Sequence, residues 1–297
     1  MKKVIAIVGP TAIGKTKISI EVAKHYGFEI ISADSVAVYK KLDIGSAKPT
    51  VDEMSGVKHY LISELDPREQ YNVEEFQKRA RSIIDSSEKP LIVAGGTGLY
   101  VQSLLYDYEF KGQNRDLEFE NKYKDYSNEE LYNLLLSKDP TIKERIHKNN
   151  RTRVLRALEI IESTGKSITS ENGCHKPYYD FYIIYLNVEN RDVLYERINN
   201  RVDKMISDGL VEEVSSLAND SIFPNAIGYK ELLPYLSHEV SLETAVDEIK
   251  KNSRHLAKRQ MTWFRNQMDT HFYLVNLNDI DSTINEIIKD LDVFLRS

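Results

Sequence analysis

The sequence predicts an α/β fold in which a parallel sheet forms the core and carries a mostly helical insertion. The first observation is that continuously apolar stretches of strand length, such as Val4–Val8 and Leu91–Ala94, alternate with segments of helical periodicity. This alternation is typical of βαβ units, and strands without polar positions indicate a sheet covered on both faces. The second observation is a change at 111–178, where the chain becomes charged and helical in pattern.

The individual elements follow from the spacing of apolar residues along the chain. Continuous apolar runs predict strands at Val4–Val8, Glu29–Ser32, Leu91–Ala94 and Phe181–Val188. A period of about 3.6 residues predicts a helix ending near His25 and further helices at Glu74–Ser86, Glu129–Leu136, Arg153–Ile161, Arg191–Ile206, Leu242–Arg265 and Asn278–Leu295. Because a strand pattern returns at Phe181, we expect residues 1–110 and 179–297 to form the core and 111–178 to form an insertion domain.

Composition describes an ordinary globular protein, since 41% of the 297 residues are hydrophobic and 29% are charged. The only cysteine, Cys174, excludes a disulfide framework and a cysteine-rich zinc site, and it predicts a reducing, cytoplasmic environment. Its neighbour His175 completes no metal-ligand set, so we expect a surface loop there. No apolar stretch is long enough to span a membrane.

Basic residues are segregated along the chain, although the formal net charge is −6. The acidic average argues against indiscriminate binding to nucleic acid. However, Lys250–Met268 contains six Lys and Arg residues and no acid, and Lys143–Arg156 contains six against Glu144 alone. We expect the first run to contact RNA or phosphate, the alternative being a solvated surface. Trp263 and Phe264 within it are expected to be core residues.

One segment has the spacing of a Walker A phosphate loop, or P-loop: Gly9, Pro10, Thr11, Ala12, Ile13, Gly14, Lys15 and Thr16. Gly9 and Gly14 permit a turn whose amides point inward, Lys15 supplies a positive charge, and the Thr16 hydroxyl can bind Mg²⁺. A buried strand precedes the motif and a helix follows it, which argues against a chance match. On its own the loop predicts a nucleotide or another diphosphate-bearing ligand.

The acid that motor and switch ATPases place at the end of a buried strand is missing. The best later strand, Leu91–Ala94, is followed by Gly95-Gly96-Thr97-Gly98. This departure favours an enzyme that uses the loop to hold a leaving group or a phosphoryl donor.

Asp34 follows the second apolar strand directly and is the best candidate for a general base. Ligands of an open parallel sheet bind beyond the carboxyl ends of the strands, where the P-loop also lies. A carboxylate there can accept a proton from an attacking hydroxyl or amine. The alternative is an aspartate that caps the next helix.

Several motifs together resemble the tRNA dimethylallyltransferase family over nearly the whole chain. They are GPTAIGKT at Gly9–Thr16, DSVAVY at Asp34–Tyr39, GGTGLY at Gly95–Tyr100, RVLRALEII at Arg153–Ile161, AIGYKE at Ala226–Glu231 and AKRQMTWFR at Ala257–Arg265. Two loops, 111–114 and 170–178, are shorter than is usual in the family. The appended zinc finger of eukaryotic relatives is not found either, so we expect the bacterial type.

The resemblance implies transfer of a dimethylallyl group from dimethylallyl diphosphate to the exocyclic amine (N6) of adenosine 37 in tRNA. It implies that the P-loop holds the donor's diphosphate with Mg²⁺ on Thr16, that Asp34 is the base, that Thr97 lies near the bridging oxygen and that Arg201 covers the diphosphate. The anticodon stem-loop is implied to contact Asp34, Ser35, Val36, Ala37, Thr97, Thr152, Arg153, Val154, Leu155, Arg156, Ala226, Ile227, Gly228, Tyr229 and Lys230. We expect a monomer without a membrane association.

Simpler structural explanations and rival functions stay open at this point. Arg197, Arg201 and Lys204 have helical spacing and could form a solvated face, and Arg153 and Arg156 could likewise be surface residues. A small-molecule or nucleotide kinase would share the P-loop but needs no basic tract for RNA. An adenylate isopentenyltransferase would act on free nucleotide. A nucleotide-switched RNA-binding module would need the missing strand-end acid.

Overall fold

Six parallel strands form one sheet in the computed structural model, which describes residues 1–108, 110, 117–165, 167, 176–277 and 279–297. The strands are β1 (Lys3–Val8), β2 (Ile30–Ser32), β3 (His59–Tyr60), β4 (Leu91–Gly95), β5 (Asp180–Asn187) and β6 (His271–Leu274). Their order across the sheet is β3-β2-β4-β1-β5-β6, and each neighbouring pair is parallel. The predicted α/β class with a parallel core is therefore confirmed.

The register of the central strands brings their carboxyl ends to one edge. Val8 at the end of β1 lies opposite Gly95 of β4 and Tyr185 of β5. Ser32 at the end of β2 lies opposite Ala94. The loops that follow β1, β2 and β4 therefore open at the same edge, which is where parallel sheets bind their ligands.

Helices cover both faces of this sheet and also build the inserted segment. They are α1 (Lys15–Tyr26), α2 (Val51–Met54), α3 (Val73–Ser86), α4 (Gly98–Leu105), α5 (Leu117–Lys122), α6 (Asn128–Lys138), α7 (Arg151–Thr164), α8 (Arg191–Ser207), α9 (Leu210–Asn219), α10 (Leu233–Leu236), α11 (Leu242–Gln267) and α12 (Ile280–Arg296), with a 3₁₀ helix at Pro140–Glu144. Each predicted helix is found, with ends shifted by a few residues. Within the described ranges, no helix is both long enough and apolar enough to cross a bilayer.

Two compact units make up the chain, one formed by residues 1–106 and 177–297 and the other by residues 107–176. The first contains the sheet, with one hydrophobic cluster on each face. The second has its own buried cluster, in which Leu131 and Leu135 of α6 pack with Val154 and Leu158 of α7. The shortened loops and the Cys174-His175 pair fall on residues outside the described ranges, apart from 176–178.

Candidate functional site

The P-loop wraps the start of α1 in a conformation that glycine makes possible. Gly9 has φ 154, and a Cβ there would lie 2.6 Å from the Leu186 carbonyl oxygen, inside van der Waals contact. Gly14 is the N-cap of α1 at φ 102, in the left-handed region that glycine tolerates. Along the loop, Gly9, Pro10 and Ile13 are buried, Thr11, Ala12, Gly14 and Lys15 are half-buried, and Thr16 is exposed. The N-terminal end of α1 thus faces the ligand edge of the sheet, as phosphate binding requires.

Lys15 is held inside the loop in an electrostatically unfavourable state. Its Nζ donates to the Pro10 carbonyl oxygen at 2.8 Å. Burial lowers the pKa of Lys15 to about 7, with nearby Arg201 contributing to the decrease and Asp34 partly offsetting it. Burial likewise lowers the pKa of Arg201, against the attraction of Asp34. Two desolvated cations with one nearby carboxylate are suited to receive an anionic ligand.

Arginines of α8 reach the P-loop, so the solvated-face alternative is wrong for them. Arg201 Nη1 donates to the Thr11 hydroxyl at 2.9 Å, and Arg197 Nε donates to the Ala12 carbonyl oxygen at 3.1 Å. Lys204, one turn further on, is an exposed residue paired with Asp208 at 2.9 Å, as that alternative expected. The helix therefore places the Arg201 guanidinium against the P-loop, and its role in covering a diphosphate stays a prediction.

Asp34 lies just beyond β2 and organises its own turn. Its Oδ1 accepts the backbone amides of Val36 at 2.8 Å and Ala37 at 3.2 Å, so the side chain does act as a cap, although residues 35–38 form a turn and not the expected helix. Its charge also affects the pKa values of Lys15 and Arg201, so the carboxylate belongs to the same electrostatic site. One oxygen can hold the turn while the group serves as a base, and the catalytic role stays a prediction. Ser35 and Val36 are half-buried beside it, and Ala37 is buried.

The glycine turn (Gly95–Tyr100) sits against the residue that precedes Asp34. The Thr97 amide donates to the Ala33 carbonyl oxygen at 3.3 Å. A Cβ on Gly95 would overlap the Ala33 backbone, so only glycine permits this approach. Thr97 itself is half-buried as the N-cap residue of α4. The structure thus brings Thr97 and Asp34 to neighbouring positions on the ligand edge.

Glu213 of α9 is a site-organising residue that the sequence did not indicate. Its carboxylate accepts the backbone amides of Asp43 at 2.9 Å, Ile44 at 2.8 Å and Gly45 at 3.1 Å, together with the Tyr229 hydroxyl at 2.8 Å. It therefore fastens the loop after Asp34 to the segment predicted to contact RNA.

The Ala226–Lys230 segment offers RNA fewer side chains than its sequence suggests. Gly228 and Tyr229 are buried, Ala226 and Ile227 are half-buried, and Lys230 is exposed. The Tyr229 ring lies 2.5 Å from where a Gly45 Cβ would stand, so it packs directly on the backbone. Tyr229 is a structural residue in this position, and the RNA contact of the segment stays a prediction.

The predicted RNA-contacting run on α7 is also partly core. Val154 and Leu155 are only 1% and 8% exposed within the cluster of the second unit. Thr152 and Arg153 are exposed, whereas Arg156 forms an ion pair with Glu159 at 2.6 Å. Thr152, Arg153 and Arg156 are therefore the side chains that this run presents at the surface.

The basic run on α11 divides into a part held by neighbouring side chains and an exposed part. Lys250 pairs with Asp203 at 2.6 Å, Lys251 pairs with Glu248 at 2.9 Å, and Arg254 donates to Asn199 at 2.6 Å. Lys258 and Arg259 are exposed one turn later. Phe264 is fully buried, as predicted, while Trp263 is half-buried against Gly98.

The fold and the site together define a class: an α/β P-loop protein in which Lys15 of the loop, Arg201 of α8 and Asp34 after β2 lie close together. Similarity to known proteins narrows that class to one family. The family model for IPP transferase matches residues 37–267, and the chain belongs to this family of enzymes. It is 46% identical to the tRNA dimethylallyltransferase of Macrococcus caseolyticus over 97% of this chain and 95% of that one. It is also 46% identical to the enzyme of that name from Enterococcus faecalis, over 100% and 98% of the two chains.

Solved structures give the same relationship. The tRNA delta(2)-isopentenylpyrophosphate transferase of Staphylococcus epidermidis matches with a TM-score of 0.73 and 40% identity, and all of both chains is covered. The tRNA isopentenylpyrophosphate transferase of Bacillus halodurans matches with a TM-score of 0.74 and 40% identity, over 100% of this chain and 99% of that one. A eukaryotic dimethylallyltransferase acting on tRNA matches with a TM-score of 0.82 and 28% identity, over 97% of this chain and 78% of that one. The family, predicted from the motifs, is confirmed, and so is the expected bacterial type.

Proposed function

We propose that this chain transfers a dimethylallyl group from dimethylallyl diphosphate to N6 of adenosine 37 in tRNA, giving N6-dimethylallyladenosine and diphosphate. The observation that carries the proposal is the convergence of Lys15, Arg201 and Asp34 at one edge of the sheet. Relatives that match over nearly the full chain bear the name of this activity.

The proposed role of the P-loop is to stabilise the leaving diphosphate. When the C1–O bond of the donor breaks, the electron pair stays on the bridging oxygen and the diphosphate gains negative charge. We propose that Lys15, Arg201 and the amides at the start of α1 surround this charge, since both side chains contact residues of the P-loop. Preorganised donors of this kind stabilise developing charge without having to reorganise during the reaction.

The nucleophile is the part that Asp34 serves. The lone pair of an adenine amine is delocalised into the ring, so the amine attacks C1 well only if its proton is removed as the N6–C1 bond forms. Asp34 is a carboxylate fixed by two backbone amides on the same edge as the P-loop. It accepts that proton as a general base, and Thr97 lies beside it at the position proposed for the bridging oxygen.

Magnesium fits the donor set of the site. Among the described residues, no group of three or more His, Cys, Asp or Glu side chains could hold a metal ion. Mg²⁺ in phosphate sites is bound by one or two protein oxygens together with phosphate oxygens and water, and the exposed Thr16 hydroxyl at the start of α1 can supply one. A bound Mg²⁺ would neutralise diphosphate charge there.

The RNA substrate has to present a base outside its stack, as for other enzymes that act on bases. Exposed basic residues, namely Arg153 on α7 and Lys258 and Arg259 on α11, are proposed to contact the phosphates of the anticodon stem-loop. We further propose that the enzyme works as a cytoplasmic monomer.

A competition assay tests the proposed function. The protein is incubated with Mg²⁺, labelled dimethylallyl diphosphate, unmodified tRNA and an equal concentration of AMP. Label in tRNA, with none in AMP, supports the proposal. Label in AMP alone would identify an adenylate isopentenyltransferase, and phosphoryl transfer from ATP without prenylation would identify a kinase.

A further inference from the structure

Two residues of α11 lie directly on the backbone of the glycine turn. They are Gln260 and Trp263, three residues apart and so on one helix face. A Cβ added at Gly96 would overlap the Gln260 amide, and one added at Gly98 would overlap the Trp263 ring. The helix therefore touches the turn more closely than any other residue type at 96 or 98 would allow.

Gln260 also joins this turn to the P-loop. Its Oε1 accepts the Thr11 backbone amide at 2.9 Å, and its Nε2 donates to the Gly96 carbonyl oxygen at 3.1 Å. Each end of the side-chain amide faces a complementary partner, so its orientation is fixed. The two partners come from segments 249 and 164 residues away in sequence.

Thr11 extends this connection to α8. Its hydroxyl accepts a hydrogen bond from the Arg201 guanidinium at 2.9 Å while its amide is held by Gln260. A chain of hydrogen bonds thus runs from Arg201 through Thr11 and Gln260 to Gly96, the residue before Thr97. This series of hydrogen bonds therefore links Arg201 at one end to the backbone next to Thr97 at the other, and both residues are proposed to act on the leaving diphosphate.

We infer that Gln260 is a positioning residue, which fixes the separation between the P-loop and Thr97 and thereby aligns the diphosphate with the groups that stabilise its departure. The inference rests on the proposed function. Misplacement of a reacting group by about 1 Å can cost about a hundredfold in rate, so the loss of this connection should appear in the chemical step rather than in RNA binding.

Three variants separate positioning from general stability. Gln260→Met keeps the length of the side chain and removes both hydrogen bonds. Gln260→Glu keeps the acceptor for Thr11 but loses the donor to Gly96. Gln267→Met is the matched control, because Gln267 is an exposed glutamine on the same helix.

Single-turnover transfer at saturating donor and tRNA is the first readout. Gln260→Met and Gln260→Glu should slow it by about tenfold to a hundredfold, with the Kd for tRNA changed less than about twofold and Gln267→Met unchanged. In a Thr97→Ala background, Gln260→Met should cost less than about threefold, since the group it aligns is gone. An equal loss in both backgrounds, or full activity of Gln260→Glu, would overturn the inference.

A second readout does not depend on transfer. Gln260→Met removes the acceptor of the Thr11 amide, whose hydrogen exchange should therefore accelerate at least about tenfold. Unchanged exchange would also overturn the inference. If the wild-type protein transferred no label while the exchange behaved as expected, the proposed function would fail and the connection between the loops would stand.

Discussion

The Arg201 guanidinium and the Thr11 hydroxyl form a 2.9 Å hydrogen bond between positions 190 residues apart. This bond brings a cation of α8 to the third residue of the P-loop. Because the cation is desolvated there, its pKa is lowered, and an anionic ligand would relieve that cost.

Replacement of Arg201 should affect the leaving group directly. Arg201→Ala is expected to reduce the single-turnover rate by about 10²–10³-fold, as loss of a preorganised donor does elsewhere. Arg201→Lys should recover only part of this, since an ammonium lacks the guanidinium fork. The matched control is Lys204→Ala, one turn along α8 and exposed. Equal rates for Arg201→Ala and the control would show that Arg201 has no part in the departure of the diphosphate.

A substitution at Asp34 can separate its proposed role as a base from its role in holding the turn. Asp34→Asn keeps an acceptor for the Val36 and Ala37 amides but removes the carboxylate. We expect turnover to fall by about 10²–10⁴-fold, with pyrophosphate affinity nearly unchanged, because a general base acts only on the chemical step. Rapid-quench transfer and titration calorimetry measure the two quantities. Wild-type turnover in Asp34→Asn would show that Asp34 only stabilises the turn and does not act as the base.

The lowered pKa of Lys15 predicts that ligand binding is coupled to the uptake of a proton. Its pKa is lowered to about 7 in the empty site, chiefly by burial. A bound diphosphate favours the ammonium, so binding above pH 7 should take up a proton and pyrophosphate affinity should fall as the pH rises. Calorimetry at pH 8 in two buffers of different ionisation enthalpy measures this uptake. Lys15→Arg is the control, since arginine stays charged, and equal uptake in both proteins would refute the linkage.

The lowered pKa of Lys15 also has a consequence for stability. A lysine in the unfolded chain titrates at its ordinary pKa of 10.5, so between about pH 7 and pH 10.5 the unfolded chain binds more protons than the empty folded protein. Burial of Lys15 therefore destabilises the fold most below pH 7, and the penalty declines as the pH rises. The free energy of unfolding of the wild type, relative to Lys15→Met, should increase across that window. A difference that stays constant from pH 7 to pH 10 would contradict this prediction.

Glu213 should matter for stability as well as for the site. Glu213→Ala leaves the Asp43, Ile44 and Gly45 amides and the Tyr229 hydroxyl without their shared acceptor. We expect a loss of about 2–3 kcal/mol in the free energy of unfolding, measured by urea denaturation. The neighbouring Glu212 is exposed in the first turn of α9, and Glu212→Ala should cost less than about 0.5 kcal/mol. A similar loss in both variants would contradict the proposed role of the carboxylate.

Exposed cations of α11 should govern the salt dependence of RNA binding. The Lys258→Ala/Arg259→Ala double variant is expected to flatten the slope of log K against log salt by about 1–2, as two lost phosphate contacts would. Arg254 is omitted because it is engaged by Asn199. Lys289→Ala/Arg296→Ala removes the same charge from α12 and should leave the slope unchanged. Equal slopes for both double variants would show that Lys258 and Arg259 do not contact the RNA phosphates.

The central strands and the P-loop were predictable because their patterns are local. A continuous apolar run such as Val4–Val8 indicates a buried strand, and the Walker spacing indicates phosphate binding. By contrast, β6 was missed because it is an edge strand with Phe272 and Leu274 exposed, so it lacks a continuous apolar pattern. The helix α4 was missed because it is buried along most of its length and shows no amphipathic period.

Residues that organise the site were harder to find from the sequence. Glu213 and Gln260 bind mainly backbone atoms of distant segments, and no spacing in the chain indicates such partners. Arg201 was selected by family resemblance alone, since its helical spacing favoured a solvated face. The sequence therefore predicted the ligand-binding loop, whereas the connections between loops required the folded structure.

The central claim is transfer to the exocyclic amine of one tRNA adenosine. Its most direct test compares two tRNAs that differ only at position 37, one with adenosine and one with inosine, which carries oxygen in place of the amine. With labelled dimethylallyl diphosphate and Mg²⁺, we predict label in the adenosine tRNA, with one diphosphate released per group transferred, and no label in the inosine tRNA. Equal labelling of both tRNAs, or of neither, would contradict the account.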